Sequence, residues 1–231
     1  MKKILIILAA CLLVGQYAYA TGNMTFSSDG TIQDGDVWDL VNIYDTPPTH
    51  TTVNMTGGLV SEIYTYDVST LNLFDGHAGS LYARDQSNVN ISGGYITGIN
   101  TSGDATANIS QNAYLYGGAV SHSGTINITG GTVTFLGAFD SGTINLYKVT
   151  GANYLASGGD LATINVFGYD LTKTNTGGMY GVGQIMGFWQ DYSPFTIDLD
   201  GSDTYSHINL VPEPATLLLL GLGTLLLRKS H

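Results

Sequence analysis

Positive charge is the scarcest component of this sequence. Its 231 residues include seven Lys and Arg against eighteen Asp and Glu, a formal net charge of −11. Four of the seven cations, Lys2, Lys3, Arg228 and Lys229, sit near the chain ends, leaving Arg84, Lys148 and Lys173 against seventeen acids in the body. Such a body repels nucleic-acid phosphates and anionic membrane surfaces. It also lacks a cationic groove for acidic polysaccharides, so neutral glycans, cations or other proteins are the better candidate partners. Cysteine is nearly absent: Cys11 lies in an N-terminal apolar run, and no disulfide can staple the body. Charged residues of both signs make up only 11%, while Thr, Asn, Tyr, Ile and Val are abundant alongside 31 glycines. That is a β composition.

Catalytic signatures are missing too. There is no Gly-x-Ser-x-Gly elbow, no His-x-Glu and no His-x₃-His. Polysaccharide lyases need converging cations, and the three body cations fall at unrelated phases of the repeat described below. Glycosidases need paired carboxylates. Asp67, Asp85 and Asp104, spaced by 18 and 19 residues, are the nearest approach, as a row stacked near a corner. His50, His77, His122 and His207 read as surface histidines. The expectation is a non-enzyme with no catalytic residues, no metal site and no cofactor.

What is present is a recurring tripeptide: aliphatic, Asn, aliphatic. It occurs around Asn54, Asn72, Asn90, Asn108, Asn127, Asn145 and Asn165, at separations of 18, 18, 18, 19, 18 and 20 residues. A period near twenty marks a solenoid, in which no coil buries its core alone. Strand side chains alternate between faces, so the two flanking aliphatics share the core face and Asn points outward. Thirteen of fourteen flanking positions are Val, Leu, Ile or Met, and only Ala107 is small. Glycine-containing pairs such as Gly57-Gly58, Asp75-Gly76, Gly93-Gly94 and Gly130-Gly131 follow the strand and supply the turn. The sequence therefore predicts an all-β, single-stack parallel β-helix of about seven coils of about 18 residues, a rod on the order of 30 Å long. A left-handed hexapeptide helix needs an aliphatic every sixth residue. From Ile128 that register lands on Thr134 and Asp140, which favours the right-handed form.

The outward face is the candidate ligand face. It carries Thr52, Asn54 and Thr56; Asn88, Asn90 and Ser92; Thr106, Asn108 and Ser110; and Thr125, Asn127 and Thr129. Regular donors and acceptors on a flat sheet match a regular ligand such as a glycan chain or an ice plane. Stacked amides that satisfy one another between coils account for the same pattern without a ligand. Phe74, Tyr147 and Phe167 interrupt the face and suit sugar stacking better than ice.

The domain reading is a signal peptide over 1–20, an N-terminal cap over 21–48, the repeats over 49–176, closing strands over 177–210 and a tail over 211–231. Lys2-Lys3, an apolar run and the Ala18-Tyr19-Ala20 box predict cleavage after Ala20. Leu8-Ala9-Ala10-Cys11 resembles a lipoprotein box. However, only seven apolar residues, Ile4 to Ala10, precede Cys11, and the run continues past it. Aspartates cluster in the cap (Asp29, Asp34, Asp36, Asp39, Asp45), in spacings that match no calcium loop, and around Gly201 (Asp198, Asp200, Asp203), where a tight acidic turn is a plainer reading than a cation loop.

The tail reads Val211-Pro212-Glu213-Pro214, thirteen uncharged residues from Ala215 to Leu227, then Arg228-Lys229. The run is shorter than the ~20 residues of a comfortable membrane helix, and its basic flank favours a cytoplasmic end. This ordered set of Pro212, Glu213 and Pro214, an apolar segment, then Arg228 and Lys229 resembles the PEP-CTERM sorting signal of exported bacterial proteins. The resemblance covers about twenty residues. It implies a C-terminal membrane helix, recognition by an exosortase, transient inner-membrane anchoring and release to the cell surface or beyond. It also implies association with exopolysaccharide, biofilm or extracellular matrix. The reading that follows is a non-catalytic structural matrix protein. The alternatives are a carbohydrate- or ice-binding module and, less favoured, a polysaccharide-degrading β-helix.

Overall fold

The computed structural model describes residues 22–152, 154–159 and 161–212. The signal-peptide positions Ala18 and Ala20, the tail positions Glu213, Pro214, Arg228 and Lys229, and the expected membrane helix lie outside the described residues. Among the described residues no helix is long and apolar enough to cross a membrane.

Seventeen strands form one continuous hydrogen-bonded system. In chain order they are β1 (Asn23–Phe26), β2 (Gly30–Ile32), β3 (Val37–Ile43), β4 (Thr52–Thr65), β5 (Thr70–Ala83), β6 (Asn88–Ile91), β7 (Tyr95–Thr101), β8 (Thr106–Ile109) and β9 (Tyr114–Val120). Then come β10 (Thr125–Ile128), β11 (Thr132–Phe139), β12 (Thr143–Leu146), β13 (Tyr154–Gly158), β14 (Thr163–Thr174), β15 (Gln184–Phe188) and β16 (Pro194–Leu199). A short 3₁₀ turn (Asp203–His207) leads into β17 (Ile208–Pro212). The chain is an all-β solenoid, and its coils stack in parallel register.

One wall is built from the Asn tripeptides. Asn54, Asn72, Asn90, Asn108, Asn127, Asn145 and Asn165 are partners in unbroken succession. All fourteen flanking positions are buried at 0–1% exposure, Ala107 included. Each fully buried aliphatic contributes about 1.5–3 kcal/mol, which offsets the ordering of its own coil. The wall also extends at both ends. Thr31 in β2 pairs with Asn54, and Asn209 in β17 pairs with Asn165. The described stack therefore has nine rungs on this wall, about eight turns, in keeping with the expected solenoid of about seven coils. The stretches read as the N-terminal cap and the closing strands each contribute one of these end rungs.

The return path of each coil bends. Its buried positions are spaced three and then two apart, as in Val60/Ile63/Thr65, Ala78/Leu81/Ala83 and Ile96/Ile99/Thr101. Two inward residues three apart break strand alternation. The register accordingly passes from Val60↔Ala78 to Glu62↔Ser80, skipping Ser61 and Gly79. Each coil thus has three short walls. One core column runs through Met24, Val41, Ile63, Leu81, Ile99, Gly118, Leu136, Leu155 and Leu199.

The last corner before the Asn wall is a tight one. Asp67, Asp85, His122 and Asp140 have positive φ of 57°, 58°, 54° and 54°, and Gly103 (69°) holds the same place in its coil. Asp, Asn and Gly tolerate this left-handed backbone best, so corner geometry alone explains the aspartates. Just inside the corner, Gly124 and Gly142 have no room for a Cβ, which would lie 2.8 Å from the Thr101 carbonyl oxygen and the Val120 backbone respectively.

The C-terminal end departs from the repeat. β14 runs past the wall and pairs antiparallel with β15, which pairs antiparallel with β16. β16 then rejoins the stack beside β13 through Asp198 and Leu199.

Candidate functional site: an amide ladder and an acidic cleft

The Asn side chains form a chain of hydrogen bonds along the rod. Each Nδ2 donates to the Oδ1 one coil earlier: Asn72 to Asn54 (3.0 Å), Asn90 to Asn72 (2.9 Å), Asn108 to Asn90 (2.9 Å) and Asn127 to Asn108 (2.9 Å). Asn145 donates to Asn127 (2.8 Å), Asn165 to Asn145 (2.8 Å) and Asn209 to Asn165 (3.2 Å). All seven bonds point the same way, so the amide dipoles add along the rod. An amide has two N–H donors and two acceptor lone pairs. An interior rung of the ladder uses one of each and leaves one of each free of the ladder.

The flanking columns are in register as well. Thr52, Thr70, Asn88, Thr106, Thr125, Thr143 and Thr163 stack in one row. Asn108 Nδ2 also reaches Asn88 Oδ1 at 3.2 Å. On the other side, the hydroxyls of Thr56, Ser110 and Thr129 donate long 3.4 Å bonds to the carbonyls of Ile32, Ile91 and Ile109. Ser92 begins the turn after Ile91 in the same column. All twelve candidate residues therefore share one wall. The aromatic interruptions divide into two kinds. Tyr147 and Phe167 stack on each other at 4.3 Å, which covers one face of each ring. Phe74 stays open at 53% exposure, pushed out where the register slips between Met55 and Thr56.

Rings line the neighbouring walls, a feature the tripeptide count did not reveal. Tyr44 stacks on Tyr66 (4.5 Å) and Tyr64 on Tyr82 (4.4 Å), while Tyr95 stacks on Tyr114 (4.9 Å). The Arg84 guanidinium lies 5.2 Å from the Tyr64 centroid and 5.9 Å from those of Tyr66 and Tyr82, within cation–π range. Desolvation by these neighbours, then the hydrogen bond and charge of Glu62, hold the Tyr64 hydroxyl above its ordinary range. Like the amides, these rings satisfy one another from coil to coil.

A cleft of about 740 Å³ lies at the tight corner near the N-terminal end. Residues 44–50 fold over the corner, closed by the Thr46↔Thr49 bridge. Pro47, Pro48 and Val68 give apolar walls, and Asp67, Asp85 and Asp104 give acidic ones. The expected acid row is only partly formed. Asp67 and Asp85 hold the same place in successive coils, and the Asp67 N–H donates to Asp85 Oδ2 at 3.3 Å. Asp104 stands one residue out of phase, because Gly103 occupies the stacking place over Asp85.

Asp45 anchors the fold-over. Its side chain is 3% exposed. Burial alone would raise its pKa, but the Thr51 N–H (2.7 Å), His50 Nδ1 (3.1 Å) and Val68 N–H (3.2 Å) outweigh burial and hold the carboxyl below its usual value.

Lys148 and Lys173 have local partners. Lys148 Nζ meets Asp191 at 2.6 Å. Lys173 Nζ donates to the carbonyls of Tyr205 (3.0 Å) and Ile208 (2.8 Å), and burial pushes its ammonium pKa down. His77 packs edge-on to Tyr95, His122 lies 3.9 Å from Asp140, and His207 Nδ1 donates to the Ala162 carbonyl (2.9 Å). The four histidines thus sit in four separate places. Among the described residues no group of three or more His, Cys, Asp or Glu is arranged to hold a metal ion.

Pro212, the first residue of the predicted sorting motif, closes β17 opposite Gly168. A proline without an N–H is tolerated there because β17 is an edge strand. Residues 210–229 match the family described as the PEP-CTERM protein-sorting motif. No curated protein and no solved structure matches the chain. The motif marks an exported protein sorted by an exosortase. Its body is the β-solenoid described above, and its C-terminal tail follows the last rung.

Proposed function

We propose that this is a non-catalytic structural rod of the cell exterior, delivered by its sorting tail and resident in the exopolysaccharide matrix. The tail would hold it transiently at the inner membrane before the body reaches the surface or the extracellular matrix. The observation that supports this reading is the unbroken amide ladder: the most regular polar face of the molecule is largely satisfied by its own coils. Stacked rings on the neighbouring walls follow the same principle. Neutral exopolysaccharide is a compatible surrounding for a body that has three cations against seventeen acids, and residence in it needs no dedicated binding face.

A second reading, a carbohydrate- or ice-binding face, draws on the N–H and lone pair that each interior amide keeps outside the ladder. These repeat at the strand spacing of about 4.8 Å. One experiment separates the readings. The purified body, residues 21–212, is incubated with the host's own exopolysaccharide, and the polymer's size is followed by chromatography. A passive rod leaves the polymer unchanged. A binding face shifts it to larger size, and that shift is lost in the folded triple variant Asn90→Ala, Asn108→Ala, Asn127→Ala. A shift to smaller size means cleavage and overturns the non-catalytic reading.

A further inference from the structure

Two hollows lie where the C-terminal excursion folds back against the stack. One, about 300 Å³, is lined by Thr129, Tyr147, Lys148, Gln190 and Asp191. The other, about 390 Å³, has Val149, Trp189, Phe195 and Ile197 among its walls. Lys148 lines both, so the two form one groove with the Lys148–Asp191 ion pair between them. We propose that this groove is a subsite for a neutral glycan: one sugar unit stacks on Tyr147, and its hydroxyls bridge Lys148 and Asp191. The site lies apart from the amide ladder and stands whether or not the ladder holds a ligand.

Three observations carry it. The first is the open ring face. Tyr147 stacks on Phe167, one coil further on, at 4.3 Å with 14° between the planes. The face that Phe167 leaves open is therefore turned back toward Thr129, which is exposed and holds the same column one coil earlier. A sugar ring has an apolar C–H face, and an aromatic face at the wall of a hollow is a surface on which it packs.

The second is a polar pair oriented in advance. The Ser193 N–H and Oγ donate to Asp191 Oδ1 at 3.1 and 2.5 Å, while Lys148 Nζ donates to Oδ2 at 2.6 Å. An ammonium has three donors, and Lys148 gives one to Asp191. Both side chains are 46% exposed. A pair this open adds little to stability, but a hydroxyl can accept from Lys148 and donate to Asp191 at the same time. The pair is also neutral as a unit, which selects the ligand class. An anionic sugar meets Asp191 and a strongly acidic body, and a cationic one competes with Lys148 for the single carboxylate. A neutral polyol incurs neither penalty.

The third is the apolar hollow beyond the pair. Trp189, 2% exposed, stacks there on Phe195 at 3.8 Å, and the hollow has room for a second sugar unit. Two sugar units in so open a groove bind weakly, with a Kd on the order of 1 mM. Such a contact dissociates during chromatography and leaves the polymer-size outcomes above unchanged.

The test uses the full chain, kept soluble in a detergent without a sugar headgroup. Saturation-transfer NMR is run with cellobiose, mannobiose and galactobiose, and with a glucuronic acid and a glucosamine disaccharide as charged comparisons. At least one neutral disaccharide is expected to saturate near ~1 mM, ahead of both charged ones. Lys148→Met keeps the aliphatic stem, and Asp191→Asn keeps the shape. Each is expected to weaken binding about tenfold while circular dichroism stays that of the natural chain. The triple variant Asn90→Ala, Asn108→Ala, Asn127→Ala is expected to bind as the natural chain does. No saturation by any of the three neutral disaccharides overturns the subsite. Undiminished binding by the folded pair variants overturns it too, as does equal binding of the charged disaccharides. If one pair variant misfolds, the other decides. Binding that is lost in the folded triple variant and kept in the pair variants places the sugar on the ladder, which supports the carbohydrate-face reading and overturns the groove.

Discussion

The middle of the stack and its C-terminal end are made from the same tripeptide but stand under different constraints. Asn127 has an amide neighbour above and below, at 2.8 and 2.9 Å, and its flanking residues Ile126 and Ile128 are fully buried. Asn209 has a neighbour on one side only and is exposed, and its flanking Leu210 is half-buried. In a quasi-one-dimensional fold an interior coil has two interfaces and an end coil has one. Identical sequence therefore carries roughly half the stabilisation at the end, and that is the end that leads into the sorting motif.

Core truncation should show this contrast most strongly. Ile128→Ala is expected to cost about 2–5 kcal/mol, read as a lower midpoint in urea unfolding. Leu210→Ala should cost less than half of that. Equal losses would mean that β17 is as tightly integrated as the centre, and the picture of a weak end would fail.

Removing an amide comes next. Asn127→Ala breaks two ladder bonds and strands a half-buried donor and acceptor on its neighbours, for about 1–2 kcal/mol. Asn209→Ala breaks one bond, and its loss should be about 0.5 kcal/mol. If Asn127→Ala is neutral by thermal melting, the ladder is ornamental and the wall is freed for a ligand role.

The same contrast explains which parts of the molecule were legible in the sequence. The interior wall was, because one strand with period-two alternation repeats at nearly fixed spacing and tolerates no register error. The bent return path was less so, since its inward residues fall three apart and then two apart. The first rung was hidden because Thr31 replaces Asn. The last was hidden because the β15–β16 excursion separates Asn165 from Asn209 by 44 positions. The acid row was misjudged by counting aspartates against each other rather than against the ladder. Asp67 and Asp85 each precede their ladder Asn by five residues, but Asp104 precedes Asn108 by four. The cleft was invisible for another reason: it exists only because residues 44–50 fold back over the corner, and that placement depends on the buried Asp45. Ring stacking between coils could have been found by lining up the tyrosines, since Tyr64 and Tyr82 are also eighteen residues apart.

A third test moves to the N-terminal end, where a buried carboxylate rather than an amide fixes the geometry. Asp45 titrates below its unfolded value, so the folded state binds fewer protons than the unfolded chain. Its stabilisation is fully present above the ordinary carboxylate range near pH 4 and is lost as pH falls through the lower folded value. Asp45→Asn should therefore melt below the natural chain at neutral pH, with the gap closing as the pH drops under about 4. A gap that is constant with pH would mean that shape rather than charge holds the fold-over.

The smallest effect is expected at the C-terminal excursion. Lys148 and Asp191 make the shortest ion pair in the described structure, at 2.6 Å. The Lys148 hydrogen bond, followed by bonds from Ser193, holds the Asp191 carboxyl far below its usual range. Both side chains are nevertheless 46% exposed, and water and salt screen such pairs while long side chains lose entropy to keep them. The sign follows the Asp45 case: whatever the pair contributes is present above the ordinary carboxylate range and lost in acid. Lys148→Ala should leave the melting temperature within about 1 °C of the natural chain at neutral pH and 0.15 M salt. A larger drop would show that the pair fastens the β15–β16 excursion to the stack. The C-terminal end would then owe its integrity to that lateral clamp as well as to its final rung, and the expected difference between Ile128→Ala and Leu210→Ala would have to be measured again with the clamp removed.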